Sequence, residues 1–297
     1  MKSILVIGSS NTDMVIRVPE LPRPGQTVSG GEFQVFGGGK GANQAIAAKR
    51  AGAAVKFIAA VGDDDLGKTA VATLAAEGID TSSIEAVTDT PSGVAMIFVS
   101  EAGENCIAVA SGANSYLTPE SLRSRQYAFD DADLLLIQLE IPVETVTAAL
   151  QMAAVRELPV ILNPAPAQAL SKDILQDLYC ITPNETEIEL LTGIAVNDSK
   201  SATAAAKVLL LKGVQNVIVT LGSKGALLCN AAGSHYQSAE SVDVVDTTAA
   251  GDTFNGVLAA MVIKGHTLQT AVETAVKAAT LSVQTAGAIA SIPRLDQ

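Results

Sequence analysis

Short apolar runs alternate with amphipathic stretches along most of this 297-residue chain. Residues 4–8, 57–61, 134–139, 160–162, 180–182 and 217–221 are continuous and rich in Val, Ile and Leu. That is the pattern of strands buried on both faces. Between them, residues 42–51, 68–77, 144–156 and 199–211 have helical spacing. The alternation predicts a parallel sheet with helices on both faces. Two stretches break the rhythm. Residues 14–36 are rich in Pro and Gly and show no helical period, and residues 92–110 read as two strands around the turn Ser100-Glu-Ala-Gly-Glu104. Both are expected to be antiparallel strands outside the main sheet, one small β-structure placed to cover a site. No linker, repeat or low-complexity segment divides the chain.

Composition narrows this picture. Hydrophobic residues make up 48% and charged residues 17%, enough apolar side chain for a large core. Aromatics are scarce and Trp is absent, so that core must be built from Ala, Val, Leu and Ile. The net charge of −12, without a Lys/Arg run, argues against a nucleic-acid partner. Three cysteines without C-x-x-C spacing and two histidines argue against a disulfide framework or a zinc site and suit a reducing compartment. One lysine before a short apolar strand does not have the form of a secretory signal, and no apolar run reaches membrane-spanning length. A cytoplasmic protein with no membrane partner is expected.

The segment most suited to chemistry is Val244-Val-Asp246-Thr-Thr248-Ala-Ala-Gly251-Asp252-Thr-Phe-Asn-Gly256, followed by helical residues 257–264. Small residues at Ala249, Ala250 and Gly251 let backbone approach a ligand, and amides at a helix N-terminus suit phosphate oxygens. Asp252 beside them could take a proton from an attacking hydroxyl while the amides hold a transferring phosphoryl group. Its bland alternative is a helix N-cap, and the helix dipole is expected to lower its pKa. A second segment, Phe36-Gly-Gly-Gly-Lys40-Gly-Ala-Asn43-Gln, holds four glycines in five residues and implies tight bends or close approach to a ligand. It resembles a dinucleotide fingerprint only weakly and stands in the wrong place for one.

Residues 62–69, Gly-Asp-Asp-Asp-Leu-Gly-Lys-Thr, match the P-loop expression letter for letter. Three adjacent carboxylates would repel the phosphates, each by on the order of 1 kcal/mol or more near water. They suit helix capping instead. Thr182-Pro-Asn184-Glu-Thr-Glu187 places Asn184 and Glu187 on one face of a helical turn, able to hold Mg²⁺ through water or merely to cap the helix. Asn11, Asp13 and Glu140 follow strands, where ligands gather in open α/β sheets, and can bond vicinal hydroxyls. Each is equally a turn residue when taken alone. Thr220-Leu-Gly222-Ser-Lys-Gly225 is a nucleotide-lining turn or a simple hairpin.

Together these segments resemble the ribokinase family of sugar kinases. The resemblance rests on Asn11-Thr-Asp13, Gly38-Gly-Lys-Gly-Ala-Asn43-Gln, Gln138-Leu-Glu140, Asn163-Pro-Ala-Pro-Ala167, Thr182-Pro-Asn184-Glu-Thr-Glu187, Thr220-Leu-Gly222-Ser and Asp246-Thr-Thr-Ala-Ala-Gly-Asp252-Thr-Phe-Asn-Gly256. They stand in the family's order across nearly the whole chain. The resemblance implies one three-layer αβα domain over residues 1–297, with a mostly parallel sheet and a small β-sheet lid from about 14–36 and 92–110. It implies ATP-dependent phosphorylation of ribose at its 5-hydroxyl. Deoxyribose or another sugar or nucleoside is the alternative within the class, and a sugar-sensing relative that has lost catalysis is the alternative outside it. Asn11, Asp13, Gly38, Gly39, Lys40, Asn43 and Glu140 would line the sugar. Asp252 would be the base, with the anion hole at Ala249, Ala250 and Gly251. Asn184, Thr220, Gly222, Ser223, Gly225 and Gly251 would line ATP, and Glu187 would organise Mg²⁺ through water. An activating K⁺ would sit near Asp246, Thr248, Ser282, Thr285, Gly287 and Ser291. A homodimer through the lid is also implied. Phe36, Thr285 and Val276 depart from residues frequent in the family at the sugar loop, the cation loop and the adenine side.

Overall fold

The computed structural model describes residues 2–29 and 31–295. Met1, Gly30, Asp296 and Gln297 lie outside the described residues. The ends of the expected 1–297 domain, and one position of the 14–36 excursion, therefore lie outside them too.

The first apolar run is β1 (Ser3–Ile7). Its side chains alternate between two cores: Ile4 and Val6 face one, Leu5 and Ile7 the other. This two-sided burial is what a continuous apolar strand requires. The same division recurs in β8 (Leu134–Ile137), where Leu134 and Leu136 oppose Leu135 and Ile137. The other strands of the main sheet are β4 (Ala54–Gly62), β5 (Ile84–Val87), β9 (Val160–Leu162), β10 (Cys180–Ile181), β11 (Asn216–Thr220), β12 (Ala226–Asn230) and β13 (Gly233–Gln237). The order is β13-β12-β11-β10-β9-β8-β1-β4-β5. It is parallel from β5 to β11 and ends in an antiparallel β11–β12–β13 meander.

Helices cover both faces. On the Ile4 side lie α1 (Lys40–Arg50), α6 (Ala250–Ile263) and α7 (Leu268–Ser282), with Leu74 of α2 (Asp65–Ala76). On the Leu5 side lie α3 (Val143–Val155), α4 (Glu185–Thr192) and α5 (Ser199–Leu211). The chain leaves β1 towards β4 on one side, and from β8 it proceeds outward on the other. The carboxyl ends of β1 and β8 therefore flank a topological switch point, the crevice where open α/β sheets bind ligands.

The two irregular stretches form one four-stranded sheet, in the order β3-β2-β6-β7. Its strands are β2 (Asn11–Val18), β3 (Glu32–Gly38), β6 (Gly93–Ser100) and β7 (Asn105–Ala110). The expectation of antiparallel pairing needs one correction, because β2 and β6, the two central strands from different excursions, run parallel. The first excursion also extends beyond 14–36 at both ends. Asn11 and Asp13 therefore lie on a strand of the small sheet, not in a loop after β1.

Candidate active site

The turn after β1 and the start of α1 are pressed together. Gly39 is the α1 N-cap at φ +90°, a left-handed backbone that glycine adopts without strain, and a Cβ there would come within 2.7 Å of the Asn11 amide nitrogen. At Gly41 a Cβ would come within 2.6 Å of the Gly8 carbonyl carbon. The glycine run is thus the end of β3 followed by a helix that begins at Lys40, two residues before the spacing indicates. Glu140, just beyond β8, joins the three segments. Its Oε2 accepts from Ser9 Oγ at 2.6 Å and from the Lys40 backbone amide at 3.0 Å. Asn114 fixes Asn11 by donating from Nδ2 to the Asn11 Oδ1 at 2.7 Å.

Asp252 lies in the first turn of α6, buried, with a donor on each carboxylate oxygen. Asn43 Nδ2 donates to Oδ2 and Gln44 Nε2 to Oδ1, each at 3.0 Å. The N-cap reading of Asp252 is thereby overturned: Ala249 caps the helix, at φ +60°. A non-glycine residue in that region costs roughly 1 kcal/mol. The Ala250 amide donates to Thr247 O at 3.2 Å, which leaves the amides of Ala249, Gly251 and Asp252 without partners among the described residues. The dipole expectation is corrected too. Burial pushes the Asp252 carboxyl up, more than Lys40 and the Asn43 and Gln44 donors pull it down. Burial in a low-dielectric site disfavours the charged carboxylate, and the net direction is upward.

A cleft of about 1000 Å³ opens between the small sheet and the carboxyl end of the main sheet. Asn11, Asp13, Gly39, Lys40, Asn43, Glu140, Ala249 and Asp252 line it, with Asp246, Thr248 and Gly287 along one side. Gly38 is its neighbour, its α-carbon packed against the Asp13 carboxylate. The carboxyl of Asp13 is raised to about 6 by burial and by the charges of Glu140 and Asp252, against the pull of Lys40. Burial opposes the charge on Lys40, but Asp252, Glu140, Glu187 and Asp13 together keep its ammonium above the ordinary value.

The residues expected at the nucleotide form a separate group. Asn184 and Thr220 pair across a parallel bridge. Gly222, Ser223 and Gly225 make the turn between β11 and β12, so the hairpin alternative describes their backbone correctly. Asn184 and Glu187 form a reciprocal capping box on α4, at 2.8 and 2.9 Å. Glu187 is nevertheless buried and raised by that burial, and it interacts with Lys40 and Asp252. Among the described residues, no group of three or more His, Cys, Asp or Glu side chains could hold a metal ion. One carboxylate beside phosphates is a normal Mg²⁺ arrangement, so Glu187 fits that ion.

In the expected cation loop, Asp246 accepts from Thr248 N, Thr248 Oγ1 and Gly287 N. These bonds outweigh partial burial and lower its pKa, which keeps an anion there that suits K⁺. The Ser282 and Ser291 hydroxyls donate to Ala279 O and Ala288 O of their own helices, and Thr285 is exposed. The literal P-loop match is a helix cap, as its charge predicts. Asp64 accepts from Gly67 N and Ser92, and Lys68 pairs with Asp63 at 3.0 Å.

The carbohydrate-kinase family model for pfkB proteins matches residues 1–295. The chain belongs to the pfkB family of carbohydrate kinases. A ribokinase of Haemophilus influenzae is 44% identical over 98% of this chain and 95% of that protein. A deoxyribokinase of Salmonella typhi is 37% identical over 99% of this chain and 96% of its own length. Among solved structures, Arabidopsis thaliana ribokinase complexed with ribose and ATP superposes with a TM-score of 0.93, at 31% identity over 99% of this chain and 97% of that one.

Family motifs left some site residues without an assigned part. Gln44 bonds Asp252 directly, and Gln138 donates to Gln44. Gln138 interrupts an apolar run and Gln44 follows the polar Asn43, and neither placement by itself marks a site residue.

Proposed function

We propose that the protein transfers the γ-phosphoryl group of ATP to the 5-hydroxyl of D-ribose, giving ribose 5-phosphate and ADP. The observation behind this reading is Asp252, a buried carboxylate held by two amides beside free helix-terminal N–H groups, in the same cleft as Asn11, Asp13, Lys40 and Glu140. Asp252 takes the proton of the attacking hydroxyl while a new O–P bond forms and the bond to the ADP oxygen breaks. Burial raises its pKa, which makes it a stronger base than an exposed carboxylate. The Ala249, Gly251 and Asp252 amides, with the α6 terminus, face the charge on the transferring group. Asn43 Oδ1 is buried without a partner among the described residues, and a sugar hydroxyl would satisfy it. The 44% identical ribokinase and the ribose- and ATP-bound structure support the choice of sugar and donor.

Four carboxylates, those of Asp13, Glu140, Glu187 and Asp252, surround one lysine, so the nucleotide must bring its own positive charge. Mg²⁺ when bound supplies that charge, and Glu187 is the residue placed to hold its water shell. K⁺ is assigned to the Asp246–Gly287 junction. Asn184, Thr220, Gly222, Ser223 and Gly225 are assigned to ATP, and the small sheet is assigned as a lid over a single domain. Free cysteines and an ATP substrate suit a cytoplasmic reaction. The deoxyribokinase relative favours deoxyribose as the second reading.

ADP release with Mg²⁺-ATP, over ribose, deoxyribose, fructose and adenosine, tests the assignment. Ribose is expected to give the highest kcat/KM. Asp252→Asn should lower turnover by about 10²–10⁴-fold while ribose binding persists. Ribose binding without ADP release in the presence of K⁺ would falsify the kinase reading in favour of a sensor. Replacing K⁺ by Na⁺ checks the cation.

A further inference from the structure

We propose that Gln44 is a positioning residue for Asp252, locked in its working orientation by a relay of buried amides at the carboxyl ends of the central strands. The proposal rests on Asp252 being the base. Gln44 and Gln138 are fully buried, and Asn163 is nearly so. Gln44 Nε2 spends both hydrogens, one on Asp252 Oδ1 at 3.0 Å and one on Asn163 Oδ1 at 3.1 Å. Its Oε1 accepts from Gln138 Nε2 at 2.7 Å. An ionised carboxylate can only accept, so the amino end of Gln44 must face Asp252. Asp252 and Asn163 Oδ1, both acceptors, fix the amino end of Gln44, and Gln138 Nε2 then satisfies the oxygen left at its other end. Gln138 Oε1 itself has no partner among the described residues, so Gln138 supports the orientation of Gln44 and does not set it.

The relay is built into the sheet. Gly8, Gln138, Asn163 and Thr182 each directly follow a strand, β1, β8, β9 and β10 in turn. A Cβ on residue 8 would lie 2.0 Å from Gln138 Oε1, so the Gln138 side chain occupies space that only glycine leaves open. Asn163 Nδ2 donates to the Thr182 backbone carbonyl at 3.4 Å, Thr182 Oγ1 donates to Asn255 Oδ1 at 2.6 Å, and Asn255 Nδ2 returns to Gly251 O at 2.8 Å. The chain of contacts, passing through the Thr182 backbone, thus leaves α6 at Asp252 and re-enters it at Asn255. Asn43 lines the cleft and Gln44 does not. Gln44 therefore grips Oδ1 from the core side and leaves Oδ2, shared with Asn43, as the oxygen that takes the substrate proton. The charged groups facing Asp252 are Lys40 of α1, Glu140 after β8, Asp13 of β2 and Glu187 of α4. Loss of the Gln44 donor leaves these untouched and removes one of two hydrogen bonds that favour the ionised carboxyl.

The test is the single-turnover rate of the intact enzyme against pH, at saturating ribose and Mg²⁺-ATP, with ribose affinity measured separately by calorimetry. Gln44→Met keeps the volume and removes the donor. It is expected to slow the chemical step by about 10- to 100-fold at pH 7. The acid limb should move up by about one pH unit, with ribose Kd changed less than about threefold. Gln138→Met touches only the supporting bond and should move the limb the same way by less. If Gln44→Met does not fold, Gln138→Met decides. An unmoved acid limb in the folded variants overturns the proposal, as does a loss of ribose affinity that accounts for the whole rate effect. Asp252→Asn separates the two readings. Full turnover in that variant removes the base itself, whereas a dead Asp252→Asn beside an unmoved Gln44→Met profile removes only the positioning relay.

Discussion

Asp13 shows what it costs to bury a carboxyl beside other carboxylates. Its carboxyl sits at about 6 instead of 3.8, raised by burial and then by Glu140 and Asp252. An acid raised in the folded chain is neutral in both states at low pH. It begins to destabilise as pH passes the unfolded value, and the penalty is complete above the folded value. Here that is about 3 kcal/mol at neutral pH and about 1 kcal/mol at pH 4.5. Asp13→Asn is expected to stabilise the sugar-free protein by those amounts in urea unfolding while weakening ribose binding. Equal stability of variant and parent at pH 7.5 would sink the argument. Gln44 and Gln138 were not legible as site residues, because periodicity counts apolar positions and is silent on a polar side chain buried among them. Asp252 was legible through its small neighbours, although the direction of its pKa depended on a burial that no local pattern reports.

At the scale of elements, two turns with similar letters do different work. The β4–α2 turn carries the P-loop spelling, yet Asp64 occupies its amide donor with a side chain and Lys68 is turned to Asp63 in solvent. Lys68→Ala is therefore expected to leave ATP turnover within about twofold of the parent, since a solvent-screened surface ion pair contributes little. A loss of a hundredfold or more would return the phosphate site to this turn. At the start of α6 the amides of Ala249, Gly251 and Asp252 have no partner among the described residues, because Ala249 turns left-handed and no side chain caps them. Charge distinguished these turns in the sequence. The start of α1 was missed by two residues and that of α6 by seven, since glycine and alanine at a helix start carry no periodic signal.

For the whole molecule, the small sheet is the part with unmatched surface. On the side away from the cleft Phe33 and Val35 are 58% and 51% exposed. If the homodimer through the lid that the family resemblance implies uses this face, Phe33→Asp is expected to shift the protein to a monomer in sedimentation. A monomeric parent would dismiss the interface. The parallel pairing of β2 with β6 joins segments some eighty residues apart, and neither excursion alone indicates that the other will lie beside it.

The sequence by itself determined the α/β class, the two excursions, the family and the polar residues Asn11, Asp13, Lys40, Asn43, Glu140 and Asp252 that share the cleft. Those properties reside in local period, local charge and motif spelling, which act over a few residues. Only the tertiary structure decided that Asn11 and Asp13 stand on a strand of the small sheet, and that burial raises the Asp252 carboxyl. It alone brought Gln44, Gln138 and Asn163 together behind the carboxylate. Each of these depends on which side chains meet at the carboxyl ends of neighbouring strands, and parallel pairing brings together residues that lie far apart along the chain.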